Sequence, residues 1–195
     1  MKNKNWLDVS KRENMGFCLY GSTLGIFGMG RIGESVAKRA KAFGMNIIYH
    51  NRSRIDESIE KELNAKYVDF ETLLKESDVI SINAPLTEST KHKFNKEAFL
   101  KMKNTSYIIN TARGALIDEN ALIEAFKNRE IAGAGLDVFE REPLRESELF
   151  NLKNVVLAPH AGSACLSSRI DMAKEASDNL ISFLINNKGK NIVNK

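Results

Sequence analysis

Short apolar runs alternate with longer stretches in which apolar positions recur every three or four residues. The runs are Thr23 to Phe27, Asn46 to His50, Lys66 to Val68, Val79 to Ile82, Tyr107 to Asn110, Ile131 to Val138 and Val155 to Leu157. Each has strand length and is predicted as a buried strand. Between them, helices are predicted over Ser35 to Lys41 with a stop at Gly44, and over Ile55 to Asn64, Phe70 to Glu76, Lys96 to Met102 and Glu119 to Lys127; a long one follows over Ser167 to Asn186. Strands alternating with helices imply an α/β fold, a Rossmann-type doubly wound parallel sheet with helices on both faces and right-handed crossovers. Residues 1–20 show no periodicity and are expected as a loosely packed lead-in carrying Trp6. The sheet domain is expected over 21–186, with a tail over 187–195.

The first run ends in Gly28-Met29-Gly30-Arg31-Ile32-Gly33. This G-x-G-x-x-G spacing suits a strand that turns sharply into a helix. Gly28 permits the turn, Gly30 lets the backbone approach a pyrophosphate, and Gly33 lets the helix pack against the sheet. The phosphates would sit at the positive end of the helix dipole, on N–H groups with no partner of their own. Glycines also gather in ordinary turns, so the motif gains weight from the strand before it and the helix after it.

The 195 residues are 43% hydrophobic and 28% charged, enough for one compact domain that buries a core. The formal charge of +4 comes from lysines scattered over many elements, which argues against a nucleic-acid surface. No apolar run is long enough to cross a bilayer and the first ten residues are polar, so a cytoplasmic location without membrane contact is expected. Cys18 and Cys165 are too few for a disulfide framework or a zinc site, and both are expected as thiols.

In parallel sheets, ligands bind beyond the carboxyl ends of the strands. The loops at Arg52, Pro85, Arg113, Asp137 and His160 each follow a predicted strand and are expected to gather along one edge. After the second strand, where an NAD-binding unit carries an acidic residue for the ribose hydroxyls, the chain reads His50-Asn51-Arg52-Ser53-Arg54. A 2′-phosphate would meet cations and donors there, which favours NADP(H) over NAD(H). The competing reading is a solvated basic loop.

Three polar groups lie just past later strands: Arg113 in Asn-Thr-Ala-Arg-Gly, Glu142 in Glu-Arg-Glu-Pro, and His160 in Pro-His-Ala-Gly-Ser. A guanidinium binds a carboxylate or carbonyl oxygen through paired donors, an imidazolium protonates a developing alkoxide, and a carboxylate orients the ring. Together these groups suit hydride transfer to a 2-oxo acid. Taken singly, Arg113 reads equally as a helix-flanking cation, Glu142 as a solvated charge and His160 as a structural polar group. His50 and His92 are expected as ordinary surface residues.

These motifs, in this order and spacing, resemble the D-isomer-specific 2-hydroxyacid dehydrogenases over roughly Tyr20 to Asn194, most of all the glyoxylate and hydroxypyruvate reductase branch that uses NADPH. The resemblance implies that Arg113 binds substrate, His160 is the acid or base and Glu142 pairs with His160. It implies a cofactor site of Gly28, Gly30, Arg31, Ile32, Gly33, Asn51, Arg52, Ser53, Arg54, Ala84, Pro85, Thr90, Thr111, Arg113, Asp137, His160 and Gly162. Within it, Asp137 would contact the nicotinamide carboxamide, Pro85 and Thr90 would flank the cofactor, and Thr111 would lie on the ribose side. The substrate implied is a small 2-oxo acid, and the assembly a homodimer through this domain.

Family members also carry an N-terminal substrate domain of about 100 residues, a normal domain size, which these 195 residues lack. In the family it supplies donors to the substrate carboxylate and closes the cleft. The expectation is therefore a fragment, a truncated gene product or an excised cofactor domain. Two functions stay open: a reductase, or a cofactor-binding and dimerisation module with little or no turnover.

Overall fold

The computed structural model describes residues 8, 10, 11, 15–189 and 192. Trp6 and most of the C-terminal tail lie outside the described residues. Seven strands form one sheet: β1 (Thr23–Phe27), β2 (Asn46–His50), β3 (Ala65–Tyr67), β4 (Val79–Ile82), β5 (Tyr107–Asn110), β6 (Gly133–Leu136) and β7 (Val155–Leu157). All neighbours pair in parallel, in the order β3-β2-β1-β4-β5-β6-β7. The helices are α1 (Arg31–Ala42), α2 (Glu57–Leu63), α3 (Phe70–Glu76), α4 (Lys96–Lys101), α5 (Glu119–Lys127) and α6 (Leu166–Asn186).

The strand pleat sorts the core into two layers. Leu24 and Ile26 of β1, with Ile47 and Tyr49 of β2, face Ala37 and Ala40 of α1 and Leu63 of α2. Phe27 and Ile48 face the opposite way, into a larger layer with Leu73, Phe94, Phe99, Ile108, Leu122 and Phe126. Burial on both faces explains why these strands read as continuous apolar runs rather than alternating ones.

The predicted and observed elements coincide within a residue or two at most ends, with two informative exceptions. The sixth strand is confined to Gly133–Leu136, because Asp137 and Val138 already belong to the loop that carries the site. The first helix begins at Arg31 rather than Ser35, directly behind Gly30. Helices α2 to α5 are each capped by a side chain: Asp56, Asp69, Asn95 and Asp118 accept from the N–H of Ser58, Thr72, Ala98 and Ala121. Such caps each contribute about 1 kcal/mol. Helix α1 opens on Gly30 with no side-chain cap.

Of the lead-in, Tyr20 packs over Gly44, where a Cβ would stand 2.5 Å from the Tyr20 ring, and Phe17 meets Tyr107 at 5.7 Å between ring centroids. Helix α6 buries none of its residues: Leu166, Met172, Leu180, Leu184 and Ile185 are all more than half exposed.

Candidate functional site

Because every strand is parallel, the loops after β1, β2, β4, β5, β6 and β7 leave the same edge of the sheet. Order reverses between β1 and β4, which opens a crevice at the edge. A cleft of about 570 Å³ lies there, lined by Gly28, Met29, Gly30, Asn51, Arg52, Ser53, Ala84, Pro85, Thr87, Ser89, Thr90 and Lys93, with His50 and Asn83 deeper in the wall.

The three glycines have different physical roles. Gly28 has φ +100°, and a Cβ on it would stand 2.4 Å from the Ala84 amide nitrogen, so the turn and the β4 loop close on one another only around glycine. A Cβ on Gly33 would stand 2.4 Å from the Gly28 carbonyl oxygen, so Gly33 packs inward rather than facing the cleft. A Cβ on Gly30 would meet nothing within 4 Å. No protein atom requires glycine there. The space is what a phosphate lying against an uncapped helix N-terminus needs, so these residues fit a dinucleotide pyrophosphate. Arg31 and Ile32 follow at the exposed start of α1.

Asn51 latches this turn to β2. Its Oδ1 accepts from Met29 N–H at 2.6 Å and its Nδ2 donates to Met29 C=O at 3.2 Å, while Gly28 N–H donates to His50 C=O. Beyond Asn51 the two arginines part. Arg52 lines the cleft with Ser53, and neither has a hydrogen-bond or ionic partner among the described residues. Arg54, expected beside the phosphate, is instead turned onto the buried Glu60, donating from Nε to Oε1 at 2.9 Å and from Nη2 to Oε2 at 2.6 Å. A buried carboxylate without a cation is costly, and Arg54 meets that requirement. His50 also departs from the surface role expected of it: it is half-buried, with Nδ1 3.0 Å from Val68 C=O and its ring stacked on Phe27. Thr90 braces the β4 loop by donating to Pro85 C=O and accepting from Thr87 N–H, both at 2.8 Å.

At the other end of the edge, three loops are locked together. Asn110, almost wholly buried, accepts from Ala112 N–H at 3.1 Å and donates to Arg113 C=O at 2.9 Å, fixing the turn that carries Thr111 and Arg113. Gly114 then lies against the next loop so closely that a Cβ would stand 1.8 Å from the Phe139 carbonyl carbon. The β6 loop is held in turn by Glu140, which accepts from Glu119 N–H at 2.9 Å and meets His92 Nε2 at 3.0 Å.

Within this frame His160 Nδ1 lies 2.6 Å from Glu142 Oε2, and Glu142 Oε1 accepts from Phe139 N–H at 3.0 Å. The hydrogen bond with His160 chiefly holds the Glu142 carboxyl below its usual range. The Phe139 amide adds to this, as do the charges of His160 and Arg113, so Arg113 acts electrostatically on the same carboxylate. The pairing leaves Nε2 as the ring nitrogen available to a reactant. His160 stands in left-handed backbone conformation at φ 54°. It is kept there by buried Asp137, whose two oxygens accept from Ala161 N–H at 2.7 Å and Gly162 N–H at 2.8 Å. Strained backbone beside a reactive group is characteristic of functional sites. An apolar cavity of about 540 Å³, walled by Phe139, Pro143, Leu144, Phe150 and Leu157, adjoins the pair.

The structure thus brings Arg113, Glu142 and His160 onto one end of the edge and Gly28, Gly30, Asn51, Arg52, Ser53, Ala84, Pro85 and Thr90 onto the other. Residues that fix the site escaped the sequence reading: Asn110, Glu140, Glu60 and Tyr49. Only Asn110 carried a local signal, an Asn at a strand end, where its side chain closes a turn.

Comparison with known proteins agrees with this geometry. Residues 1–162 match the family model for the NAD binding domain of the D-isomer specific 2-hydroxyacid dehydrogenases. A glyoxylate reductase of Thermococcus litoralis is 56% identical over 181 residues, which are 93% of this chain and 54% of that protein. A solved glyoxylate reductase from Paecilomyes thermophila superposes with a TM-score of 0.87 at 45% identity, over 92% of this chain and 54% of its own. The D-lactate dehydrogenase of Lactobacillus jensenii, solved with NAD+, gives 0.87 at 30% identity over 95% and 59%. The chain spans about half the length of the curated relatives it matches. With the glycine cradle and the His160–Glu142 pair on one sheet edge and the family match over residues 1–162, the chain belongs to the D-isomer-specific 2-hydroxyacid dehydrogenases, whose NAD-binding domain it matches.

Proposed function

We propose that this protein is an NADPH-dependent reductase of a small 2-oxo acid such as glyoxylate or hydroxypyruvate. The observation that carries the reading is the hydrogen-bonded His160–Glu142 pair at 2.6 Å, with Arg113 exposed at the same end, on the edge that also bears the glycine cradle. The cofactor, when bound, supplies the hydride. The turn at Gly28 and Gly30 and the start of α1 at Arg31 and Ile32 hold its pyrophosphate. Arg52 and Ser53 take the 2′-phosphate, and Ala84, Pro85, Thr90 and Thr111 wall the path between the two ends. Asp137 and Gly162 border the nicotinamide end. Arg113 grips the oxo acid through paired N–H donors, and His160 Nε2 delivers a proton to the oxygen that becomes the hydroxyl. Glu142 orients the ring and stays ionised as it does so.

The glyoxylate reductases that are 56% and 52% identical to this chain over 181 and 169 residues support the substrate class. Assembly as a homodimer and a cytoplasmic location belong to the same reading. Two free, exposed cysteines suit a reducing compartment, and among the described residues no helix is long and apolar enough to cross a membrane.

One observation favours a second reading, a cofactor-binding module with negligible turnover. Arg113 and His160 are exposed and α6 buries nothing, so the substrate end is open among the described residues. Assay of the purified 195-residue chain with NADPH and glyoxylate or hydroxypyruvate separates the two. NADPH oxidation that His160→Gln abolishes supports the reductase, and NADPH binding without oxidation supports the module. A chain that binds no NADPH contradicts both.

A further inference from the structure

We propose that Tyr49, Glu60 and Arg54 form a clamp that positions the cofactor-reading loop, so that Arg54 acts on NADPH selection through Arg52 and Ser53 rather than by touching the phosphate. The inference rests on the NADPH reading above and concerns how it is achieved.

The loop between β2 and α2 is six residues long and is held at both ends. At its start, Asn51 is tied to Met29 by two hydrogen bonds, and Tyr67 Oη donates to Asn51 C=O at 3.2 Å. At its end, Ile55 N–H donates to Tyr49 Oη at 3.1 Å, Tyr49 Oη donates to Glu60 Oε1 at 2.5 Å, and Arg54 grips both Glu60 oxygens. Between these anchors only Arg52 and Ser53 lack partners among the described residues, and both line the cleft. The geometry therefore presents two side chains and immobilises their neighbours.

The chemistry of the clamp is out of place for a purely structural role. Tyr49 is fully buried and Glu60 is 6% exposed, within the layer formed by β1, β2, α1 and α2. Glu60 puts a carboxylate into this layer while its cation, Arg54, sits at the exposed rim. Apolar residues of similar size often pack such a layer as stably, and one use of a polar pair kept there is to specify one arrangement. Burial and the neighbouring carboxylate push the Tyr49 phenol up to about 12, so it remains a donor to Glu60 and an acceptor for Ile55 at any working pH. With the residues on either side of Arg52 and Ser53 held, the loop loses less freedom when a phosphate arrives, which is how preorganisation raises affinity.

The test is fluorescence titration of NADPH and of NADH into the wild-type chain and the Arg52→Ala, Arg54→Ala, Glu60→Gln and Tyr49→Phe variants, each with a thermal melt. The clamp predicts that Glu60→Gln and Arg54→Ala each weaken NADPH about tenfold, the weight of one charge-assisted hydrogen bond, and NADH far less. The double variant should be no worse than either single one. Tyr49→Phe, which keeps the ring and removes only the hydroxyl, should move the NADPH/NADH ratio the same way even where Glu60→Gln fails to fold.

If Arg54 binds the phosphate directly, Glu60→Gln frees it and NADPH tightens, which overturns the proposal. A lowered melting temperature with an unchanged ratio makes the cluster structural only and overturns it as well. A wild type without NADPH preference and an Arg52→Ala variant without effect remove the NADPH reading, and the clamp with it. Discrimination that is lost in Arg52→Ala but intact in the clamp variants removes the clamp alone.

Discussion

The two ends of the strand edge are finished to different degrees. At the β1–β2–β4 end the protein's own atoms close the site. Gly28 is wedged against Ala84, Asn51 is bonded twice to Met29, and half-buried His50 forms part of the wall. At the β5–β6–β7 end the backbone is as tightly locked, through Asn110, Gly114, Glu140 and Asp137, but the side chains of Arg113 and His160 are exposed. The His160 side chain is 51% exposed, and Val156 of the edge strand and the apolar residues of α6 have no cover among the described residues. A cradle for a cofactor is built from backbone and needs one domain. A pocket for a small acid needs walls around a few side chains, and among the described residues the apolar cavity at Pro143 supplies one.

The contrast makes the two ends separable by mutation. His160→Gln should have the largest effect. It removes the proposed proton donor and is expected to lower NADPH-dependent glyoxylate turnover by about 10²- to 10⁴-fold while leaving NADPH affinity within about twofold. A parallel loss of affinity would show that the ends are coupled. Arg52→Asp acts at the opposite end: loss of one charge-assisted contact of about 1.5 to 3 kcal/mol should weaken NADPH about 10- to 100-fold and NADH little, as read by calorimetric titration.

Within the glycine turn the comparison sharpens further. Gly28→Ala introduces left-handed strain of about 1 to 3 kcal/mol together with a clash on the Ala84 backbone, and should lower the melting temperature by several degrees. Gly30→Ala meets open space and should leave the melt unchanged while weakening NADPH. The smallest effect expected is on acid stability. Arg54 and then Tyr49 hold the Glu60 carboxyl below its ordinary 4.5. Its contribution is therefore present above 4.5 and lost as pH falls through the lowered value. The melting-temperature gap between wild type and Glu60→Gln should hold from pH 7 down to about 4.5 and narrow only below that.

The legible parts of the molecule were those set by local chemistry. The strands β2, β4, β5 and β7 are contiguous apolar runs and fall where the runs predict them. The glycine turn was legible because its spacing reflects a backbone requirement at Gly28 and Gly33. Arg113, Glu142 and His160 were legible as residues just past strands, since parallel topology carries such positions to one edge.

What stayed hidden depends on partners distant in sequence. Nothing local in Arg52-Ser53-Arg54 says which arginine faces the cleft. That is decided by Glu60, a carboxylate on the inner face of α2 whose burial only the folded chain reveals. The stacking of His50 on Phe27 and the bracing of the β6 loop by Glu119 and His92 likewise require elements that meet only after folding.

The central claim is that one dinucleotide runs along this edge from Arg52 to His160. A crystal structure of the chain with NADPH tests it most directly. It should show the 2′-phosphate against Arg52, the pyrophosphate over Gly28 and Gly30, and the nicotinamide ring beside Asp137 within reach of His160 Nε2. Density for the nicotinamide elsewhere, with His160 facing only solvent or the cavity at Pro143, would contradict the account.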